Sequence, residues 1–152
     1  MSYREKIKDI YDMMAKGQMI DAFDKYYGDN VSMVDLGHGE PTVGKAANRE
    51  RELAFVGMIE EFHGMGVDAI ASDEENGVTM IENWMDVTLK GIGRVQYKQV
   101  AVQRWEGDFI VDEFHYGQAT RISPEAPNLI LDLDEIKVIK GDDNTIKTAA
   151  TK

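Results

Sequence analysis

The sequence contains no cysteine. That excludes disulfide bridges, a thiolate nucleophile and any cysteine-based metal centre, and it fits a reducing, cytoplasmic setting. Positive charge is the second shortage: 17 Lys and Arg stand against 28 Asp and Glu, a formal net charge of −11. A field of that sign opposes nucleic acid and anionic membrane surfaces, so neither is expected as a partner. No apolar run approaches the roughly 18 residues that a membrane-crossing helix needs. The first ten residues carry Arg4, Glu5, Lys6, Lys8 and Asp9, which does not fit the apolar core of a secretory signal. Histidine is scarce, with 3 residues. His38, His63 and His115 have no H-x-x-x-H or H-E-x-x-H spacing, and no oxygen-rich calcium loop accompanies them, so no metal is expected. Phosphate-binding glycine loops and the G-x-S-x-G elbow are missing as well.

What is present is the pattern of one α+β domain. Ile7, Ile10, Tyr11 and Met14 recur at helical spacing, and Met19, Ile20, Phe23, Tyr26 and Tyr27 repeat the pattern after Gly17. These read as a helical hairpin. Val31, Met33 and Asp35 alternate with Ser32, Val34 and Leu36 in a short strand. A third helix is expected from Gly44 to about Phe62, with Leu53, Val56, Ile59 and Phe62 as its buried side. His63 then closes that helix, where a cationic ring suits the C-terminal dipole. From Gly66 the period changes to two, giving strands at about Val67–Ser72, Gly77–Lys90, Arg94–Glu106 and Phe109–Tyr116. Asn76-Gly77 and Glu106-Gly107-Asp108 supply turns between them. Three N-terminal helices packed in a curved, mainly antiparallel mixed sheet make a cystatin-like cone. The domain is expected over residues 1–120, and residues 121–152 form a C-terminal extension, partly flexible at its end, in which Leu129–Leu131 and Ile136–Ile139 have strand character.

Two stretches carry a family resemblance that covers about Arg4 to Gln118. D-N-V-S-M-V-D-L-G-H-G-E-P-T-V-G, from Asp29, is similar to D-D-x-x-x-x-D-P-x-G-x-x-P-x-x-G, with Leu36 where proline is common. R-W-E-G-D-F-I-V-D-E-F-H-Y-G, from Arg104, is similar to F-R-x-x-x-G-K-I-x-E-x-W. Both resemble the SnoaL-like and nuclear transport factor 2-like superfamily, which includes ketosteroid isomerases and polyketide cyclases. The resemblance implies that Asp35 is a catalytic base and that Tyr11 donates to a substrate oxygen. Ketosteroid isomerase joins its aspartate base to an oxyanion hole of a tyrosine and a protonated aspartic acid. The position of that second acid falls here on Ala101, whose side chain donates nothing, so steroid isomerisation as such is not expected.

Strand alternation adds the pocket walls. With Tyr97, Gln99 and Ala101 facing the cavity, Trp84 and Asp86 are expected inside on the preceding strand. On the last strand Asp112, Phe114 and Tyr116 face inward, unless a single bulge reverses the parity and brings in His115 instead. His115 lies near the acid/base position of cyclase-like relatives, and His38 belongs to the expected cavity mouth. The leading reading is a cofactor-independent isomerase or cyclase for a small apolar or carbonyl-containing molecule. Two alternatives stand beside it. One is a non-catalytic ligand-binding or assembly module. The other activates water as an epoxide hydrolase does, from Asp86, Asp112 and Arg104. The resemblance further implies a homodimer formed through the outer sheet face, around Val100 and Val102.

Overall fold

A computed structural model describes residues 1–36 and 39–127, together with the backbone of 137–140 and 146–148. Helix α1 (Tyr3–Ala15) starts on a capping box: the Glu5 amide donates to the Ser2 hydroxyl at 3.1 Å, and the Ser2 amide donates to Glu5 Oε1 at 3.0 Å. This satisfies two otherwise orphaned donors. The acidic hairpin tip around residue 74 closes the same end, because Glu74 accepts from the Tyr3 and Arg4 amides at 2.7 and 3.2 Å. Helix α2 (Met19–Tyr26) runs directly into β1 (Tyr27–Val34). Then follow β2 (Thr42–Val43), α3 (Lys45–Met58), β3 (Ile59–Asp73), β4 (Val78–Leu89), β5 (Gly93–Glu106) and β6 (Phe109–Arg121). Two short strands, β7 (Lys137–Lys140) and β8 (Ile146–Thr148), extend the sheet.

The eight strands lie in the order β2-β1-β6-β5-β4-β3-β7-β8. β1 runs parallel to β6 and β7 parallel to β3, and the remaining pairs are antiparallel. This is the mixed, curved α+β cone expected from the sequence. One face of the sheet closes over the helices. Ile7, Ile10, Tyr11 and Phe23 pack there against Ile70, Ile81, Val87 and Ile110, all nearly or fully excluded from solvent. Beyond residue 121, the described strands β7 and β8 join the same sheet. β7 pairs with β3 in register Ala69↔Lys137 to Ser72↔Lys140, which covers the expected strand at Val138 and Ile139. Leu129–Leu131 and Ile136 lie outside the described residues.

Helix α3 departs from the expectation. It ends at Met58, and β3 begins at Ile59. His63 is therefore a buried strand residue, its Nε2 2.7 Å from Thr88 Oγ1, and not a helix cap. The expected buried stripe is turned outward as well: Leu53 is 44% exposed, and Val56 and Phe62 are exposed with it. Asn48 is the fully buried residue of this helix. Its amide donates to the carbonyls of Val31, Thr42 and Gly44 at 3.2, 2.9 and 2.9 Å. That three-way anchor fixes which side of α3 faces in. One turn further on, the same side presents Arg51, Glu52 and Phe55 to the interior cavity.

Candidate functional site

A cavity of about 320 Å³ opens between the helices and the concave sheet face. Its apolar wall comes from α1 and α2 (Ile10, Met14, Met19, Ala22, Phe23), from Leu36 and Phe55, and from Met85 on β4. Its polar groups are Tyr11, Tyr27, Asp35, Arg51, Glu52, Tyr97, Gln99, Glu113 and His115. A concavity of this size that joins an apolar wall to convergent polar groups suits a compact organic ligand.

Register decides which residues arrive there. On β5 and β4 the pairs Tyr97↔Met85 and Gln99↔Asn83 face inward, and Trp84↔Lys98 and Asp86↔Gln96 fall between them on the outer face. Trp84 and Asp86 are therefore not cavity residues, contrary to the alternation read from the sequence. Trp84 covers Gly66 on β3, where an added Cβ would lie 2.5 Å from the indole. Asp86 is fully buried on the far side of the sheet and forms a doubly hydrogen-bonded pair with Arg94, at 3.0 and 2.8 Å. Arg94 also donates to the carbonyls of Pro124, Ala126 and Pro127. Ala101 is buried on the inner face opposite His115, but it does not line the cavity.

On β6 the parity reverses, as a bulge requires. Trp105 pairs with Ile110 and Arg104 with Asp112, so one extra residue lies between them. Ile110 faces the core, and after the bulge Glu113 and His115 face inward. Asp112, Phe114 and Tyr116 are turned to the outer face opposite Arg104, Val102 and Val100. Asp112, Arg104 and Asp86 thus lie on the convex side, and they cannot act as a water-activating triad in the cavity. Asp35, Tyr11, Tyr97, Gln99 and His115 do line it. His38 lies outside the described residues.

The inward charges form one chain. Arg51 Nη2 pairs with Asp35 Oδ2, and Arg51 Nη1 donates to Thr42 Oγ1 at 2.9 Å. Asp35 Oδ1 is 3.2 Å from His115 Nδ1, and His115 Nε2 is 3.2 Å from Glu113 Oε1. Glu113 Oε2 accepts from the Tyr27 hydroxyl at 2.7 Å and from Gln103 Nε2 at 2.8 Å. The chain continues into the core: Thr79 Oγ1 donates to Gln103 Oε1 at 2.8 Å, and Trp105 Nε1 donates to Thr79 at 2.9 Å. A network satisfied along its length holds its members in one geometry.

Electrostatics follows from this arrangement. Burial alone would lower the His115 pKa, but the Glu113 and Asp35 carboxylates on its two nitrogens outweigh it and raise the ring to about 10. An imidazolium with both N–H groups donating fits that geometry. Burial pushes Glu113 up, and the charge and hydrogen bond of His115, with Gln103 and Tyr27, bring it below its ordinary value. Burial, with the charges of Glu113 and Glu52, holds the Tyr11 phenol well above its normal range. Glu52 is raised to about 7 by burial and by the charges of Glu113 and Asp35, partly offset by His115 and Arg51. Tyr27, Arg51, Glu52 and Glu113 were missed in the sequence. Their signals were faint: Asn48, Glu52 and Phe55 share one helical side, and Glu113 sits two residues from His115.

Comparisons with known proteins agree with this architecture. A SnoaL-like domain model matches residues 1–116. No curated protein matches the chain. A Mesorhizobium loti protein provisionally assigned as a SnoaL-like polyketide cyclase superposes with TM-score 0.64 at 24% identity, covering 76% of this chain and 99% of that one. A nuclear transport factor 2-like protein of unknown function from Burkholderia xenovorans gives 0.61 at 18% identity over 81% and 88%. An LEH-like epoxide hydrolase from M. tuberculosis gives 0.62 at 15% identity over 76% and 82%. At such identities the superpositions speak for the fold alone. The domain match spans the helices, the bulge and β6 as far as Tyr116, and every cavity residue, and by it the chain belongs to the SnoaL-like domain family.

Proposed function

We propose that this protein binds a compact, mostly apolar carbonyl compound in the cone and moves a proton on the carbon next to the carbonyl, as an isomerase or cyclase does. The observation that carries the reading is Tyr11. Its ring is buried on the cavity wall, and its hydroxyl has no hydrogen-bond partner among the described residues. A buried phenol normally finds an acceptor, and a ligand carbonyl oxygen supplies one here. Developing charge on that oxygen is stabilised by the phenol, and ionisable groups stand in the same cavity to exchange the proton. Protein groups suffice for such enolisation, so no organic cofactor enters the scheme. The family resemblance suggests Asp35 as a candidate for the base, and the Arg51 and His115 cations hold that carboxylate in place.

A second reading, a ligand-binding module without catalysis, is favoured by one observation: Asp35 is already paired with Arg51 and His115. Thermal shift and deuterium exchange separate the two. Small ketones that raise the melting temperature and also lose α-protons to solvent deuterium support the enzyme. Tyr11→Phe should then slow exchange by about two orders of magnitude. Ketones that bind without exchange leave only the binding module, and ketones that do neither end both readings.

The same proposal takes the protein as a cytoplasmic homodimer joined through the convex sheet face. Tyr116 is 57% and Met80 45% exposed there, beside Val100 and Val102. Apolar side chains standing together on one sheet face suit a second subunit. Light scattering of the wild type and of Tyr116→Lys would read the assembly. A monomeric wild type removes this part of the proposal.

A further inference from the structure

We propose that Glu52 on α3, and not Asp35, is the side chain that takes the substrate proton and returns it, with Asp35 acting as a positioning residue. This rests on the proton-transfer reading above and names the group that performs it. Three carboxylates line the cavity: Asp35, Glu52 and Glu113. Glu113 accepts from Tyr27 and Gln103 and faces His115. Asp35 is held by Arg51 and His115. Glu52 has no hydrogen bond or ion pair among the described residues, although it lines the same cavity and is mostly shielded from solvent. A carboxylate takes a proton from carbon with a free lone pair. One that already serves fixed donors must first give those up.

The fold aims Glu52 at the cavity in two ways. The Asn48 anchor, one turn earlier, fixes the rotation of α3. Arg51, the adjacent residue, ties the helix to Asp35 and Thr42. Leu53 and Val56 then point outward, and the charged side points in. Tyr11 lines the same cavity, and its phenol feels the charge of Glu52, so the substrate oxygen and its α-carbon would both be met within one concavity.

The step balances without a co-reactant. The C–H bond next to the carbonyl breaks, and its electron pair forms a carbon–carbon double bond while charge moves to the oxygen held by Tyr11. The proton bonds to a Glu52 oxygen. In the return step that O–H bond breaks, the proton is delivered to another carbon of the conjugated system, and the carbonyl is restored. A carboxyl that is half ionised near neutrality suits both directions, and Glu52 is raised to about 7. The groups facing it are Arg51 on its own helix, Asp35 from the loop after β1, Glu113 and His115 on β6, and the Tyr11 and Tyr27 phenols. His115 keeps its charge to about 10 and does not titrate in the same window.

The test follows α-proton exchange of cyclohexanone in deuterated buffer by proton NMR, with full-length wild type, Glu52→Gln, Glu52→Asp and Asp35→Asn. The wild-type rate should rise through neutral pH as Glu52 ionises. Glu52→Gln should lose about a hundredfold or more and the inflection with it. Glu52→Asp should recover part of the rate. Asp35→Asn should lose no more than about tenfold and keep the inflection. Glu52→Gln should melt no lower than wild type, so that a lost rate is not lost folding. An inflection that persists in Glu52→Gln and vanishes in Asp35→Asn overturns the assignment and leaves the proton-transfer reading intact. A wild type that binds cyclohexanone without exchanging its protons overturns both. Carbon-13 NMR of the carboxyl gives an independent readout, and a Glu52 that titrates like an ordinary surface glutamate overturns the assignment.

Discussion

Two charge clusters sit on opposite faces of one sheet, and they differ in what remains unsatisfied. On the convex side Asp86 and Arg94, each with a 1% exposed side chain, close on one another. The guanidinium spends its remaining donors on the carbonyls of residues 124, 126 and 127. Nothing is left for a ligand, and the pair works as a clasp that holds the chain leaving β6 against the sheet. On the concave side Asp35, His115 and Glu113 are equally well bonded, but they border a cavity, and beside them stand a phenol and a carboxyl with no hydrogen-bond partner among the described residues. Burial of charge therefore does not by itself distinguish a site from a strut. The distinction lies in whether the donors and acceptors are used up.

The strongest attack on this comparison is Arg94→Ala. It strands a buried carboxylate and releases three carbonyls, so urea denaturation should show a loss of about 3–5 kcal/mol. Limited proteolysis should then cut after Arg121 far sooner than in wild type. A small loss would mean that the clasp is not structural. On the other face, His115→Ala leaves Asp35 and Glu113 without the cation between them, and a loss of about 2–3 kcal/mol is expected at neutral pH. Its signature is the pH dependence. The folded pKa lies above the ordinary imidazole value of 6.5, so the His115 contribution is complete below 6.5 and is lost as pH rises through about 10. Wild-type stability should fall across that window, and the fall should vanish in His115→Ala.

Glu52→Gln should act in the opposite direction. The folded carboxyl, raised from 4.5 to about 7, binds a proton that the unfolded chain has lost. The Glu52 contribution to stability therefore declines as pH rises from 4.5 to about 7 and then levels. Removing the charge should stabilise the protein by ~2 kcal/mol above that window and by little below it. Calorimetry in acidic and alkaline buffer reads the difference. The smallest effect separates two buried phenols. Tyr27→Phe removes the donor to Glu113 and should cost about 1.5 kcal/mol. Tyr11→Phe removes a hydroxyl without a hydrogen-bond partner among the described residues and should cost less than about 0.5 kcal/mol. Equal costs would mean that Tyr11 has a role in folding that the cavity geometry does not assign.

The helical hairpin was legible because its inward residues are apolar. Ile7, Ile10, Tyr11 and Phe23 face where their spacing says they should. The same rule failed on α3, whose inward side carries Asn48, Glu52 and Phe55 and whose outward side carries Leu53 and Val56. Hydrophobic periodicity assumes that the interior is dry and apolar, and that assumption breaks at a cavity lined with charge. On the sheet, Tyr97, Gln99 and the boundaries of β4 and β5 were readable from alternation. Trp84 and Asp86 were misplaced because pairing register between two strands is not written in either strand. The parity of β6 turned on one inserted residue between Ile110 and Glu113, and either parity agreed with the local sequence.

From its residues alone this chain determined its class: acidic, free of cysteine, with helices followed by a meander that curls into a cone. Period, turn residues and composition are local properties, and they suffice for that much. Only the tertiary structure decided which carboxylates look into the cavity and which partners they have. Facing depends on cross-strand register, on a single bulge and on the rotation of one helix about its axis, and each of these is fixed by contacts between residues far apart in the chain.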